Sequence, residues 1–295
     1  MAEGAGMGRV REGVAVIGAG NWGSSLAAGV VAAGIPLLEV VVRGAPKQGA
    51  KFSDRAAVTW ETAKLDARVI WLCVPDGQIA AVSARIAARR SDLRGQLAVH
   101  SSGALTIAAL EAVSKSGAGV GGIAPVFSFP TRVPVPLRNV MFAVEPGPGQ
   151  SRNMAALVRR LGGKPLRLSS ENKGLYHAAA TMASPLLVSE LQAAVTTAEL
   201  AGLSSREAHA VVGVLATATL RNFMTRSPER SFSGAFARGD AETVELHLRT
   251  LLKHPNLRGV YLALARNAVQ SLPVRNRPRL ERVLASPVSK RRVRD

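Results

Sequence analysis

Three glycines in one short turn suggest the first chemistry in this chain. The apolar run Val14 to Ile17 meets Gly18, Gly20 and Gly23 in a G-x-G-x-x-G spacing, and small and apolar residues follow as far as Gly34. A strand, a glycine turn and a helix in that order suit a dinucleotide. The first glycine permits the tight turn, the second lets backbone approach a pyrophosphate, and the third lets helix and strand pack closely. Free N–H groups at the helix start, with the positive end of the helix dipole behind them, would then face the phosphates. Asn21 and Trp22, between the glycines, are expected near the pyrophosphate and ribose, although Trp22 also suits plain packing.

The residue that selects the dinucleotide stands at the end of the next strand, Leu37 to Val42. An acid about 20 residues past the glycines would hold the ribose 2′-hydroxyl of NAD. Here that count from Gly23 lands on Arg43, with Lys47 and Lys51 behind it. A guanidinium can clasp a 2′-phosphate that a carboxylate would repel, so the sequence predicts NADP. Val69 to Val74 reads as a strand buried on both faces and ends in Val74-Pro75-Asp76. Val74 and Pro75 are expected to wall the cofactor, and Asp76 to cap a helix from about Gly77 to Arg89. Ser101 and Ser102, with Gly103, follow the strand Gln96 to His100. Their hydroxyls can bind cofactor or substrate, or cap the helix expected over Leu105 to Ser114.

Proton transfer beside a nicotinamide needs a group that can give or take a proton. His177 is the first candidate because an imidazole titrates near neutral pH. Lys173, one helical turn earlier, could share its face, and Tyr176 lies between them. Arg238 could hold an anionic substrate or pair with Asp240. The sequence offers no G-x-S-x-G elbow, no Walker A lysine and no metal-ligand spacing among its five histidines and one cysteine. Hydrolase, NTPase and metal chemistry therefore lack an anchor.

Those residues need a scaffold. At 295 residues and 47% hydrophobic, the chain can build two cores. Strand and helix signals alternate through Leu168, which predicts an α/β Rossmann domain, doubly wound with a mostly parallel sheet, over residues 13–168. Strand signals then stop. Leu175 to Leu203 carries only two charges, Glu190 and Glu199, and reads as a helix buried on most sides that Pro185 must kink or split. Ser204-x-x-Glu207 is a capping box for the next helix. Asp240 is expected to cap another, and a last helix covers about Asn256 to Ser271. An all-α substrate and dimerisation domain is thus expected over 169–285, with a frayed segment at 1–12 and a basic tail at 286–295.

The net charge is +18, of which residues 275–295 supply +6 from eight Lys/Arg and two Asp/Glu. It reads as an arginine-rich solvated surface and tail. No aromatic-interleaved basic motif marks a nucleic-acid surface. One cysteine and no signal peptide point to a cytoplasmic setting. Gly34-Ile35-Pro36 and Glu39 interrupt the apolar stretch Ser24 to Val42, which argues against a membrane span there.

The chain resembles the bacterial Rossmann-like proteins that carry the C-terminal domain of unknown function 2520, and more distantly pyrroline-5-carboxylate reductases and β-hydroxyacid dehydrogenases. The resemblance rests on GAGNWG (18–23), VPD (74–76), HSSGAL (100–105), GLYHAAATMAS (174–184) and SGAFARGDAETVELHL (233–248). It implies an NADP domain, a helical domain that often forms a homodimer, and an oxidoreductase acting on a small C=N or C=O substrate in the cleft between domains. Two positions depart from the family. Ala124-Pro125 stands where the family tends to have His-Pro, and Ser184-Pro185 where it tends to have Ser-Asn. If those side chains handle substrate, this member differs in substrate or lacks turnover. A non-catalytic NADP-binding sensor or interaction protein is therefore the alternative reading.

Overall fold

The computed structural model describes residues 10–44, 51–52 and 55–285. Lys47, the first nine residues and the basic tail lie outside them, and the side chain of Lys51 is not described. The chain divides into two compact units, Met1–Met182 and Ala183–Asp295.

The first unit is built on a mostly parallel sheet. Its strands are β1 (Arg11–Ile17), β2 (Leu37–Val42), β3 (Lys51–Phe52), β4 (Arg55–Thr59), β5 (Ala67–Leu72), β6 (Leu97–His100), β7 (Gly119–Pro125), β8 (Met141–Pro146) and β9 (Lys164–Arg167). The order across the sheet is β4-β2-β1-β5-β6-β7-β8-β9, with the two-residue β3 hooked onto the edge of β4. Pairing is parallel except between β3 and β4 and between β7 and β8. The helices of this unit are α1 (Asn21–Ala32), α2 (Asp76–Arg89), α3 (Glu111–Lys115), α4 (Ser151–Arg160) and α5 (Lys173–Ala183), the last ending at the division.

Strand periodicity sorts the core into two layers, because successive side chains leave opposite faces. Val14, Val16, Val69, Trp71 and Val99 enter the layer that also holds Leu26 of α1 and Met154 of α4. Ile17, Ile70, Leu72 and Ala98 enter the opposite layer, with Ile79 of α2 and Val113 of α3. Both faces being covered explains why these strands read as near-continuous apolar runs.

The doubly wound reading holds, and several local expectations are corrected. Strand β1 begins at Arg11, so Arg11 and Glu12 of the segment expected to be frayed are in the sheet. The Arg11 N–H donates to the Asp66 carbonyl at 2.8 Å, and its guanidinium lies 3.6 Å from the Asp66 carboxylate. Strands β3 and β4 carried too short an apolar signal to be expected. The helix expected over Leu105–Ser114 is a 3₁₀ turn, Ile107–Leu110, followed by the short α3.

The second unit is helical: α6 (Pro185–Leu200), α7 (Ser205–Thr225), α8 (Pro228–Ser231), α9 (Ala235–Arg238), α10 (Ala241–Thr250), α11 (Pro255–Ser271) and α12 (Arg277–Ala285). Pro185 splits the long apolar stretch outright and becomes the first residue of α6, where its missing N–H costs nothing. The Ser204–Glu207 capping box is formed at the start of α7. Asp240 precedes α10 without capping it, because its carboxylate takes the Arg238 guanidinium instead. The unit's core is small: Ala241, Val244 and Leu248 of α10 meet Ala265 and Val269 of α11 and Leu280 and Leu284 of α12. The expectation that Leu175–Leu203 is buried on most sides is overturned. Across this stretch Leu175, Met182, Leu186, Val188 and Leu200 are exposed, as are Val214, Leu215, Phe223 and Met224 of α7. Residues Ser170–Leu200 are long and apolar enough, by length and composition, to cross a membrane. As two helices of 11 and 16 residues, however, the pieces span only about 16 and 24 Å, short of a hydrocarbon core of about 30 Å.

One buried carboxylate ties the edge of the sheet to its connections. Glu39 on β2 accepts from the backbone N–H groups of Lys64 (3.0 Å) and Leu65 (2.7 Å). Glu39→Ala leaves both donors unpaired, and the expected loss is about 2–4 kcal/mol in a urea unfolding measurement.

Candidate functional site

The sheet order puts its switch point between β1 and β5. The β1 connection runs to one side toward β2, and the next crossover runs to the other. In open α/β sheets, ligands bind outside the strand ends at that point. The glycine turn is pinned there from both sides. The Gly18 N–H donates to the Val41 carbonyl at 2.9 Å, and the Cys73 N–H donates to the Ile17 carbonyl at 2.7 Å.

The three glycines have three distinct surroundings. Gly18 has φ +101°, and a Cβ there would strike the Cys73 carbonyl. A Cβ on Gly23 would run into the Gly18 carbonyl, so this position sets the approach of α1 to β1. Gly20 has nothing within 4 Å of its Cβ position. It faces a groove of about 940 Å³ lined by Gly18, Gly20, Arg43, Val74, Pro75 and Arg85, among others. The first turn of α1 carries no acidic residue and no side-chain cap, so its leading N–H groups are left for a ligand. The division into a turn, an open cradle and a close contact fits a pyrophosphate.

Arg43 reaches this groove, its guanidinium 3.5 Å from the Gln78 side-chain oxygen on α2. Arg85, on the same face of α2, lies over the Trp60 ring at 4.4 Å and 3.7 Å from the Glu61 carboxylate. Arg85 and Arg132 also line the groove and were not singled out from sequence. Spacing from the glycines could not point to them, since one sits on a helix surface and the other in a proline-rich segment.

The residues at the strand ends take more specific places than their types foretold. Asn21 donates its side-chain amide to the Phe129 carbonyl at 2.8 Å, so that amide holds a loop. The indoles of Trp22 and Trp71 both donate to the Ser101 hydroxyl oxygen, at 2.7 and 2.8 Å. Two donors fill the lone pairs of that oxygen and leave its proton to be given away. Cys73, 3.9 Å from Ser101, has its thiol pushed up to about 12 by burial, which disfavours the thiolate at neutral pH.

Ser102 is buried. Its hydroxyl donates to the Asp76 carboxylate at 2.7 Å and accepts from the N–H groups of Ala104 and Leu105. It caps the following turn, with no capacity left over. Asp76 is correspondingly the first residue of α2 and not its cap, a position that Pro75 fills. Arg238 sits in the second unit, paired with Asp240 at 2.8 Å.

Lys173 and His177 do not project together. His177 is exposed and lies over Gly103, where a Cβ would come within 2.9 Å of its ring. The HSSG turn and the first turns of α5 therefore meet. Beside His177, partial burial raises the Tyr176 phenol. Lys173 is 2% exposed, and its ammonium donates to the Glu145 carboxylate at 2.7 Å. The other Glu145 oxygen accepts from the Ser170 hydroxyl (2.6 Å) and the Ile107 N–H (3.1 Å). Burial pulls the lysine below its ordinary value, against the hydrogen bond and charge of Glu145 and the charge of Asp76.

Sequence reasoning missed Glu145 and His100. The available signal was Gly121-Gly122 inside β7, because glycine within a strand often marks a close approach. A Cβ on Gly122 would come within 2.9 Å of the lysine nitrogen, 3.1 Å of Glu145 and 3.2 Å of the His100 ring. His100 is fully buried, and its Nδ1 accepts from the Ser102 N–H at 3.1 Å. That bond assigns the proton of the neutral ring to Nε2.

Burial, then the Lys173 charge, push His100 down to about 4, with Glu145, the Thr106 backbone and Asp76 opposing. A folded pKa below the ordinary 6.5 means that the unfolded chain takes up the proton first as pH falls. Stability is full above about pH 6.5 and declines toward pH 4, by on the order of 3 kcal/mol from this group. Urea unfolding at pH 7 and pH 4.5 should reveal the loss. His100→Asn, which keeps an acceptor and does not titrate, should reduce it.

The sheet order, the switch-point groove and the open glycine turn define the first unit as a doubly wound, Rossmann-like domain. Comparison with known proteins gives the particulars. Residues 2–125 match the Rossmann-like domain, and residues 140–268 match the domain of unknown function DUF2520. The chain is thus a Rossmann-like domain followed by a DUF2520 domain. No curated protein matches the sequence.

Among solved structures, a protein of Thermotoga maritima is 21% identical over 88% of this chain and 98% of its own, with a TM-score of 0.67. The reductive aminase of Aspergillus terreus, solved with NADPH and ethyl-5-oxohexanoate, is 16% identical over 91% and 98%, with a TM-score of 0.64. Pyrroline carboxylate reductase of Plasmodium falciparum, solved with NADP, is 15% identical over 94% and 99%, with a TM-score of 0.56. The shared feature is the fold of NADP-dependent reductases.

Proposed function

We propose that this protein is an NADP-dependent oxidoreductase acting on a small C=N or C=O substrate. The observation that carries the reading is the groove at the switch point, open at Gly20 and reached by Arg43 at its far end. Arg43 and Arg85 offer two guanidiniums for a 2′-phosphate, a preference that the spacing of Arg43 already suggested. The bound nucleotides of the two named reductases support the cofactor, and a keto ester bound to one and a cyclic imine, pyrroline carboxylate, in the name of the other support the substrate class.

NADPH would supply the hydride. The chain would hold it by the α1 N-terminus, Gly18, Gly20, Gly23 and Arg43, with Val74 and Pro75 as a wall. In this reading Ser101 would donate a hydrogen bond, and His177 would exchange a proton at the exposed end of the HSSG turn. Lys173 serves to fix α5 through Glu145. A buried, ion-paired ammonium is poorly suited to meet substrate, which moves the role to His177.

Ala124 and Pro185, where the family tends to have histidine and asparagine, favour a second reading: a sensor or interaction protein that binds NADP without turnover. The exposed apolar residues of α6 and α7 support a homodimer, with a second copy covering them.

Titration should show NADPH binding at least about tenfold tighter than NADH, and Arg43→Asp should erase the difference. Oxidation of NADPH should then be followed across a panel of imines and 2-keto acids. His177→Ala is expected to lower turnover on an accepted substrate by about a hundredfold with binding of NADPH intact. Tight NADPH binding with no turnover anywhere in the panel favours the sensor. Light scattering that reports a monomer removes the dimer.

A further inference from the structure

We propose that Arg132 is a pyrophosphate-binding residue, delivered to the cofactor groove by the segment 126–136. The inference rests on the dinucleotide reading above and adds a contact that neither the glycine spacing nor the domain comparison assigns. The segment reads VFSFPTRVPVP and connects β7 to β8. It crosses the first turns of α1 and is tied down on both sides of Arg132.

Three residues before Arg132, the Phe129 carbonyl accepts from the Asn21 side chain at 2.8 Å, and the Phe129 ring packs on Trp22 with centroids 5.0 Å apart. Three residues after it, the Val135 N–H donates to the buried Ser25 hydroxyl at 3.2 Å. Beyond that, Leu137 fills the space over Gly29, where any Cβ would collide with it. Asn21, Trp22, Ser25 and Gly29 all belong to α1. The span between the anchors therefore lies beside the start of that helix, next to Gly18 and Gly20, and Arg132 lines the same groove.

Charge points the same way. The GAGNWG turn contains no cation, and a pyrophosphate brings two negative charges to it. Of the three arginines on the groove, Arg43 leans on Gln78, and Arg85 is engaged by Trp60 and Glu61. Arg132 has no hydrogen-bond or ion-pair partner among the described residues. Pro130, Pro134 and Pro136 restrict the segment before anything binds, which lowers the ordering cost of presenting a guanidinium there. Bidentate guanidinium–phosphate bonds are the strong kind, so one such contact should be visible in affinity.

The location separates this role from 2′-phosphate recognition, because the pyrophosphate is common to NADPH and NADH. NADPH and NADH are titrated against the full chain, wild type and Arg132→Gln, by tryptophan fluorescence and calorimetry. Unchanged melting temperature in the variant is expected, since the side chain is exposed. The proposal expects both nucleotides to weaken by a similar factor of about ten, leaving their ratio unchanged, and Arg132→Lys to recover part of the loss. Weakening of NADPH alone overturns it and moves Arg132 to the 2′-phosphate. No change in either nucleotide also overturns it, with the dinucleotide reading intact. A wild-type chain that binds neither overturns the dinucleotide reading and this inference with it.

Discussion

The first unit depends on how closely α1 is allowed to approach β1 and β5. Gly18 turns with a positive φ against the Cys73 carbonyl, and Gly23 lies against Gly18 with no room for a methyl group. Everything at the ligand end follows from that contact. It aims the free N–H groups of α1 at the groove and leaves Gly20 facing open space. It also brings Trp22 within reach of Ser101, and Trp71 arrives at the same oxygen from β5. A hydroxyl that accepts from two indoles is fixed in place, and it ties α1 to the ends of β5 and β6.

A second constraint joins the far side of the sheet to α5. Glu145 accepts from Lys173, Ser170 and the Ile107 backbone, three donors from two different connections. Buried ion pairs are costly to desolvate and stabilise only when the remaining valences are met, as they are here. Specificity of placement is the more defensible gain. Lys173 can enter only where Gly122 leaves space, and that fixes the rotation of α5 about its axis. The fixed rotation turns Lys173 inward and sets His177 over Gly103. One buried charge thus decides which of the two candidate side chains is buried and which is exposed.

That placement also bears on how the chain is divided. Composition changes character near Ser170, where strand signals end, and a boundary at 168/169 is the natural reading. The compact unit runs on to Met182. The first turns of α5 are helical by sequence and belong to the sheet unit by contact, because Glu145 and the HSSG turn hold them there.

The doubly wound architecture was legible because its signals are local. Apolar runs bounded by turns, the G-x-G-x-x-G spacing and the Ser204–Glu207 capping box each concern residues close in sequence. Their geometry is forced by backbone sterics and by hydrogen bonds that neighbours must satisfy. Pro185 was legible in the same way, since its ring and missing N–H kink or break a helix at any interior position. What the sequence alone determined is this set of elements and the cradle that one of them forms.

Only the tertiary structure decided the partners. Glu145, His100 and Gly122 lie on three strands whose adjacency exists only in the folded sheet. Arg85 and Arg132 reach the groove from a helix face and a cross-chain strap that no spacing encodes. The exposed apolar faces of α6 and α7 follow the same rule, because apolar composition shows that a face seeks cover and cannot show what covers it. Local sterics are written into neighbouring residues, whereas long-range electrostatics and burial arise only when distant segments are brought together.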